Sequence, residues 1–212
     1  MKQGLIICQD YWHSREIVEA GLEFLKGHDW DLTILTAMEH VDLSAFNFAD
    51  YQAIFVCKSD RNSYEDEGCW LSDEVATRFA TYVEAGGCLM VMHAGSVAPK
   101  SSERFKTLVG CAFDMHPPQS PVKYFPVGDA AIIDGIAEFT EQDEHYKIDI
   151  YAEDIKIFLS STSEYFDEVA GYYRNVGNGK VIVLTPGHNL PVWLNPEYQK
   201  LILNALKFGG AA

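Results

Sequence analysis

The chain has 212 residues, a formal net charge of -15 at pH 7 and 48% hydrophobic residues. This composition supports a folded domain with a buried core and excludes general disorder. The acidic excess predicts no binding to nucleic acid or to membrane surfaces, because both present negative charge. Five cysteines without a CxxC pair, and no apolar run of membrane-spanning length, predict a reduced cytoplasmic protein.

The first half of the chain alternates short apolar runs with helical patterns. The predicted strands cover residues 4–8, 31–36, 53–57 and 88–92. Ser14 and Ser72 stand where helix N-caps are expected, and Gly86 ends the second helix. The acidic run at residues 64–68 is predicted to lie on the surface. This alternation predicts a mostly parallel sheet with helices on both faces.

The second half is less regular, with a short helix predicted at residues 102–109. Strands are predicted at residues 121–127 and 147–152. Asn178-Gly179 joins the runs 168–176 and 180–185, and Asn-Gly is a strong signal for an antiparallel hairpin. Asn195 and Pro196 begin the last helix. Without a repeat or linker, residues 1–212 are expected to form a single domain.

Three histidines come directly after predicted strands, where ligands bind in open α/β sheets. His13 follows the first strand, His93 the fourth, and His188 the second strand of the hairpin. Histidine is the side chain best suited to proton transfer near neutral pH and is the commonest metal ligand. One strand-end histidine is usually a packing or capping residue, whereas several converging ones favour a functional site.

Two sharper hypotheses find less support in the spacing of residues. A cysteine or serine nucleophile is disfavoured, because the turn VMHAGS lacks the G-x-S-x-G frame. A zinc-like site of His93, His116, His188 and one carboxylate remains open, although no HxH or HExxH motif supports it. His116 lies in a proline-bound loop, and DEHY at residues 143–146 has, from composition alone, the character of a solvated acidic turn.

An ordered set of motifs resembles the ThuA-like proteins, named for trehalose utilisation. These motifs are HSREIVEAGLEFL, YVEAGGCLMVMHAG, LVGCAFDMHPP, FTEQDEHY and GNGKVIVLTPGHNLPVWLNPEYQKLILNAL. The family belongs to the class I glutamine amidotransferase-like group, so the resemblance implies an α/β, flavodoxin-like three-layer sandwich with a site at the carboxyl edge of its sheet. It points to a set of matching site residues: His93, His116, Asp143, Glu144, Tyr146 and His188.

The resemblance also has departures. The strand-end cysteine nucleophile of true amidotransferases is absent, so glutaminase activity is not implied. Relatives often carry His-Pro-Ile where this chain has Ala130-Ala131-Ile132, and Lys180 stands where arginine is expected. Any role of the missing histidine is lost here.

The resemblance and the strand-end residues together suggest an enzyme of carbohydrate metabolism. The expected chemistry is proton transfer on a sugar or 3-keto-disaccharide, leading to isomerisation, epimerisation or eliminative cleavage. Glu144 or His93 would be the base, and His188 or His116 would polarise the carbonyl, directly or through a divalent metal such as zinc. The further substrate-binding candidates, mostly aromatic, are Trp12, His13, Asp143, Tyr146 and Trp193.

Two other functions remain open at this point. One is a non-catalytic carbohydrate-binding or regulatory module on the same fold, which the change at Ala130 favours. The other is a metal-dependent hydrolase. A homodimer is also left open, since no stripe of residues marks an interface.

Overall fold

The computed structural model describes residues 1–36, 43–61 and 69–211, so the acidic run at 64–68 lies outside the described residues. The described strands are β1 (Lys2–Cys8), β2 (Trp30–Thr36), β3 (Ala53–Cys57), β4 (Cys88–Met92), β5 (Cys111–Met115), β6 (Ser120–Pro126), β7 (Phe139–Asp143), β8 (Lys147–Ile150), β9 (Lys156–Thr162), β10 (Asp167–Val176) and β11 (Gly179–Leu184). The described α-helices are α1 (Arg15–Leu22), α2 (Asp73–Glu84), α3 (Glu103–Val109), α4 (Leu190–Leu194) and α5 (Pro196–Phe208). None of these helices is long and apolar enough to cross a membrane.

Nine of the described strands form one mixed sheet, in the order β2-β1-β3-β4-β11-β10-β9-β6-β7. The strands from β2 to β11 pair in parallel, and those from β11 to β7 pair antiparallel. The α/β class is therefore confirmed, but the sheet is more evenly mixed than the expected mostly parallel one. Its second half is connected by short turns, and parallel strands would need long crossovers.

The parallel block forms because its strands are apolar on both faces. Every residue of β3 and of β4 is buried. Successive residues face opposite sides: Ile6 belongs to one hydrophobic core with α1, α4 and α5, and Leu5 belongs to another with α2 and α3. Burial of both faces under helices is what parallel strands require.

The helix boundaries follow the predicted caps. The side chains of Ser14, Ser72 and Asn195 accept hydrogen bonds from backbone N–H groups in the first turns of α1, α2 and α5. These bonds satisfy donors that have no partner within the helix. The three predicted N-caps are therefore confirmed.

The second half contains strands that the sequence pattern did not predict. β5 pairs with β8 in a separate two-stranded antiparallel sheet, and β7 and β9 extend the main sheet. β7 has the sequence FTEQD, and its burial alternates weakly because it is the last strand of the sheet. Polar residues are common on such edge strands, so apolar periodicity fails to reveal them.

A sharp turn after β4 sets the position of His93. The backbone of His93 is left-handed, with φ of 43°, which few residues other than glycine adopt. Two residues later, Gly95 lies so close to β3 that a Cβ atom there would be 2.0 Å from the carbonyl oxygen of Val56. Only glycine allows this approach, so the turn is locked against the neighbouring strand.

Replacing Gly95 with Ala is expected to destabilise the fold by at least about 2 kcal/mol, because the new methyl group would collide with backbone atoms of β3. Urea unfolding followed by circular dichroism measures the change. The matched control is Gly27→Ala, since a Cβ at Gly27 meets no atom within 4 Å. That control should change stability by less than about 1 kcal/mol. Equal stability of the two variants would contradict the close approach.

Candidate functional site

Three histidines and one glutamate meet at the carboxyl edge of the parallel strands. His13 follows β1, His93 follows β4, His188 follows β11, and Glu144 comes directly after β7. One nitrogen or oxygen atom from each of the four residues lies within 4.8 Å of the others. We call these four residues the histidine–glutamate cluster. Its position agrees with the general location of ligand sites in open α/β sheets.

His93 is the most buried member of the cluster, at 2% exposure. Its Nδ1 lies 2.7 Å from the carbonyl oxygen of Thr185, so Nδ1 carries a proton and donates it. Its Nε2 then faces Glu144, 3.5 Å from Oε2, and makes no hydrogen bond in the described structure. The left-handed backbone of His93 is the kind of local strain that is often found at functional sites.

His13 is held by the buried carboxylate of Asp10. Asp10 accepts hydrogen bonds from the backbone N–H groups of Trp12, His13 and Ser59, and lies 2.8 Å from Nδ1 of His13. Burial raises the pKa of Asp10, but the hydrogen bonds from His13 and Ser59 outweigh it and lower that pKa to about 2. Burial also lowers the pKa of His13, so its ring is neutral and presents an unprotonated Nε2.

Glu144 is the negative centre of the site. Its Oε2 lies 3.1 Å from Nδ1 of His188, and its Oε1 lies 3.6 Å from Nε2 of His116. Burial raises the pKa of Glu144, but His188 and His93 outweigh burial and hold that pKa well below its usual range. Burial lowers the pKa of His188, whereas the nearby Glu144 carboxylate raises it, and the net shift is upward. Glu144 is therefore ionised, and His188 keeps its proton to higher pH than a free histidine.

The structure places Asp143, a substrate-binding candidate from sequence, away from any surface that substrate could reach. Its side chain is completely buried and accepts hydrogen bonds from Tyr124 and from the backbone N–H groups of Gly187 and His188. These bonds occupy both carboxylate oxygens. Asp143 instead fixes the turn that carries His188.

Two of the expected aromatic residues are also buried. Trp193 is 1% exposed, and its Nε1 donates a hydrogen bond to the carbonyl oxygen of Gly187. It packs in the core against Gly21, so it offers no open face to a sugar and the expectation was wrong. Tyr146 is 3% exposed, and its ring stacks on that of His93 with centroids 4.1 Å apart. Tyr146 therefore packs against His93 and supports its position in the cluster.

Trp12 and His116 lie at the open side of the site. Trp12 is partly exposed and contacts Tyr11, whose side chain is largely exposed. His116 is 36% exposed, more than any member of the cluster, and its Nδ1 lies 2.9 Å from the carbonyl oxygen of Pro117. His116 is not part of the four-residue set, so His13 takes the place expected for it among the candidate metal ligands.

A groove with a volume of about 540 Å³ lies elsewhere in the described structure. Residues before β3 and β4, including Tyr51 and Gly86, line it, so it lies at the amino ends of the parallel strands. Arg78 lines it too, but its guanidinium is bound to the carbonyl oxygens of Leu43 and Phe46. This groove gathers no titratable cluster, so the histidine–glutamate cluster is the better candidate site.

The fold and the cluster define an α/β protein with a histidine-rich site at the carboxyl edge of its parallel strands. The chain belongs to the ThuA family, described as trehalose utilisation, whose model matches residues 5–209. A comparison with curated proteins finds no match.

Solved structures show the same fold over nearly the whole chain. A ThuA-like protein from Parabacteroides merdae superimposes with a TM-score of 0.78 at 16% identity, covering 98% of this chain and 89% of its own. One from Bacteroides uniformis gives 0.70 at 18% identity, covering 98% and 90%. A cytoplasmic protein from Salmonella typhimurium gives 0.70 at 15% identity, covering 98% and 99%. At these identities the likeness establishes the fold alone.

Replacing Asp10 with Asn is expected to lower the free energy of unfolding at neutral pH. The variant should also lose less of that free energy than the wild type when the pH is lowered. Folding lowers the pKa of Asp10 from 3.8 to about 2. The Asp10 carboxylate therefore contributes its full stabilisation above pH 3.8, and this stabilisation disappears as the pH falls toward 2. The shift corresponds to about 2 kcal/mol. Urea unfolding at about pH 6, pH 4 and pH 3 measures this contribution.

The control for this experiment is Asp31→Asn, because Asp31 is exposed on β2. The control should follow the wild type at every pH. An Asp10→Asn variant that also follows the wild type would show that the carboxylate does not hold His13 and Ser59 as described.

Proposed function

We propose that the chain is an enzyme of carbohydrate metabolism that transfers a proton on a sugar or 3-keto-disaccharide at this site. The family description, trehalose utilisation, supports the substrate class. The observation that carries the chemistry is the position of His116. Its Nε2 lies 3.6 Å from Oε1 of Glu144, and its ring stacks on Tyr146, which in turn stacks on His93. A partly exposed proton-transfer group thus adjoins the cluster through Glu144 and Tyr146.

His116 is the better candidate for the base. Its Nδ1 is held by the carbonyl oxygen of Pro117, which leaves Nε2 free to accept a proton. From sequence, Glu144 or His93 is the expected base and His116 a polarising residue. The pKa of Glu144 is held well below its usual range, which makes it a poor base for carbon acids, and His93 is only 2% exposed. Glu144 instead lies 3.1 Å from Nδ1 of His188 and, against the effect of burial, raises the pKa of that ring.

The cluster then polarises the sugar carbonyl. His116 removes a proton from the carbon next to the carbonyl, and the electron pair moves to the carbonyl oxygen, which His188 stabilises. Delivery of a proton from water to the opposite face of that carbon gives the epimer. Return of the His116 proton to the former carbonyl carbon, with the proton of the adjacent hydroxyl passing to the former carbonyl oxygen, gives the isomer. Loss of a glycosidic oxygen from the β-position completes an elimination, with His116 returning its proton to that oxygen.

The open side of the site suits a sugar ring. Trp12 and Tyr11 are the exposed or partly exposed aromatic residues of the loop after β1, immediately before His13. A cavity of only about 10 Å³ lies on the inner side of His13 and His93. Substrate would therefore approach from the exposed side of the cluster, where His116 is the more open histidine. A cytoplasmic location would fit the free cysteines of the described structure.

The proposal is tested by deuterium exchange in D2O with a 3-keto-disaccharide such as 3-ketotrehalose. We expect the wild type to place deuterium next to the carbonyl, as followed by proton NMR. His116→Gln should slow this exchange by at least about 100-fold, the usual contribution of a general base. His28→Gln is the matched control, because His28 is exposed at the end of the turn that follows α1.

Two results would contradict the proposal. Exchange at the wild-type rate in His116→Gln would remove His116 from the chemistry. Saturable binding of the keto-sugar by the wild type without any exchange would favour the non-catalytic binding module.

A further inference from the structure

Two buried ring nitrogens in the cluster face the Glu144 carboxylate without a well-formed hydrogen bond. Nε2 of His93 has no hydrogen-bond partner among the described residues, and Nδ1 of His188 has only its ion pair with Glu144. A buried polar atom without a partner costs about 1–3 kcal/mol, so native structures rarely keep one without a reason. Both atoms lie on the same side of the cluster and approach the same oxygen, Oε2 of Glu144. An occupant between these three atoms would satisfy all of them.

The spacing of the atoms fits a metal ion. Oε2 of Glu144 lies 3.1 Å from the His188 nitrogen and 3.5 Å from the His93 nitrogen. Ligand atoms around a tetrahedral zinc ion, with bonds of about 2.0–2.1 Å, lie about 3.3 Å apart. His13 completes the set, since all four ligand atoms lie within 4.8 Å of one another.

The histidines are also oriented as metal ligands usually are. Nδ1 of His93 donates to the carbonyl oxygen of Thr185, and Nδ1 of His13 donates to the carboxylate of Asp10. Each of these bonds fixes the ring and leaves Nε2 on the side of the cluster, where Nε2 of His93 makes no hydrogen bond and Nε2 of His13 lies 3.3 Å from the hydroxyl of Tyr146. A second hydrogen bond of this kind accompanies nearly every histidine that binds a metal. The backbone N–H of His188 is in turn fixed by Asp143.

We propose that His13, His93, His188 and Glu144 bind a divalent transition-metal ion of the zinc type. Three imidazoles and one carboxylate suit zinc, iron, cobalt or nickel better than calcium or magnesium, which prefer oxygen ligands. His116 stays outside the set and remains free for proton transfer. This inference deepens the proposed function, because the ion would take over the polarisation of the carbonyl from His188.

Metal binding is measured directly, without any substrate. The protein is stripped with EDTA, dialysed, and titrated with Zn2+ by calorimetry and with Co2+ by visible spectroscopy. We expect one ion per chain and a Co2+ spectrum typical of nitrogen and oxygen ligands. His93→Ala and Glu144→Gln should each lower the affinity by at least about 100-fold, since even partners of the ligands contribute 10- to 100-fold.

His116→Gln is the matched control, because His116 touches Glu144 but is outside the proposed ligand set. It should bind the ion as the wild type does. His13→Gln guards against misfolding of the deeply buried His93 variant, since His13 is partly exposed. Circular dichroism verifies the fold of each variant. Absence of stoichiometric binding by the wild type, or unchanged affinity in His93→Ala and His13→Gln, overturns the metal site.

Different experimental results would contradict the metal site and the proposed function. Stoichiometric binding that depends on His93, with no deuterium exchange on any keto-sugar, supports the metal site and overturns the proposed enzyme. Full exchange by the stripped protein, with no binding of Zn2+ or Co2+, overturns the metal site and leaves the role of His116 intact.

Discussion

Two buried aspartates hold the site together, each by clamping a turn that follows a strand. Asp10 accepts hydrogen bonds from the backbone N–H and the ring of His13 after β1. It also accepts one from the backbone N–H of Ser59 after β3. Asp143 collects the N–H groups of Gly187 and His188 after β11. Charged hydrogen bonds of this kind compensate for burying a carboxylate, and they also fix the geometry of what they bind. These hydrogen bonds fix the turns that carry His13 and His188, and so hold the two side chains at the cluster.

The same design concentrates negative charge in a small volume. Asp10, Asp143 and Glu144 are all largely or completely buried around the cluster. Lys58, which is also buried, donates a hydrogen bond to the carbonyl oxygen of Gln9 beside Asp10, and the Glu144 carboxylate raises the pKa of His188 despite burial of that ring. A divalent ion would balance this excess better than one protonated ring, since opposite charges interact strongly where water is excluded. The electrostatics of the site therefore favour a bound cation independently of the spacing of its ligands.

Much of this arrangement could be predicted from sequence, because parallel strands bury both faces and leave their functional residues at their ends. The apolar runs located β1, β3 and β4, and with them the positions of His13 and His93. The role of Asp143 could not be predicted, because neighbouring residues at the end of a strand point in different directions. Asp143 faces the turn at His188, Glu144 faces the cluster, and His145 turns away to lie against Ser161 and Ser163.

Trp193 shows a second limit of sequence reasoning. An aromatic residue close to a functional histidine is equally consistent with a ligand-binding wall and with a core residue, and composition does not decide between them. What decides is the facing element. Gly21 on α1 leaves a gap that Trp193 fills, and a Cβ at Gly21 would lie 2.5 Å from the Cβ of Trp193 and 2.7 Å from Cγ of its indole. Gly21 could indicate this packing from the sequence, but only to a reader who already knows that α1 and α4 are in contact.

The change at Ala130, which favoured a non-catalytic module, has a structural location away from the cluster. Ala130 packs against the hydrophobic core that contains α5, at the start of a turn over Ala131–Ile133. Asn195 caps the start of α5, a few residues after His188 in the chain. Near the other end of α5, the side-chain amide of Asn204 donates a hydrogen bond to the carbonyl oxygen of Asp134. A histidine at position 130 would therefore join the packing around α5. Its absence removes none of the four residues that form the cluster.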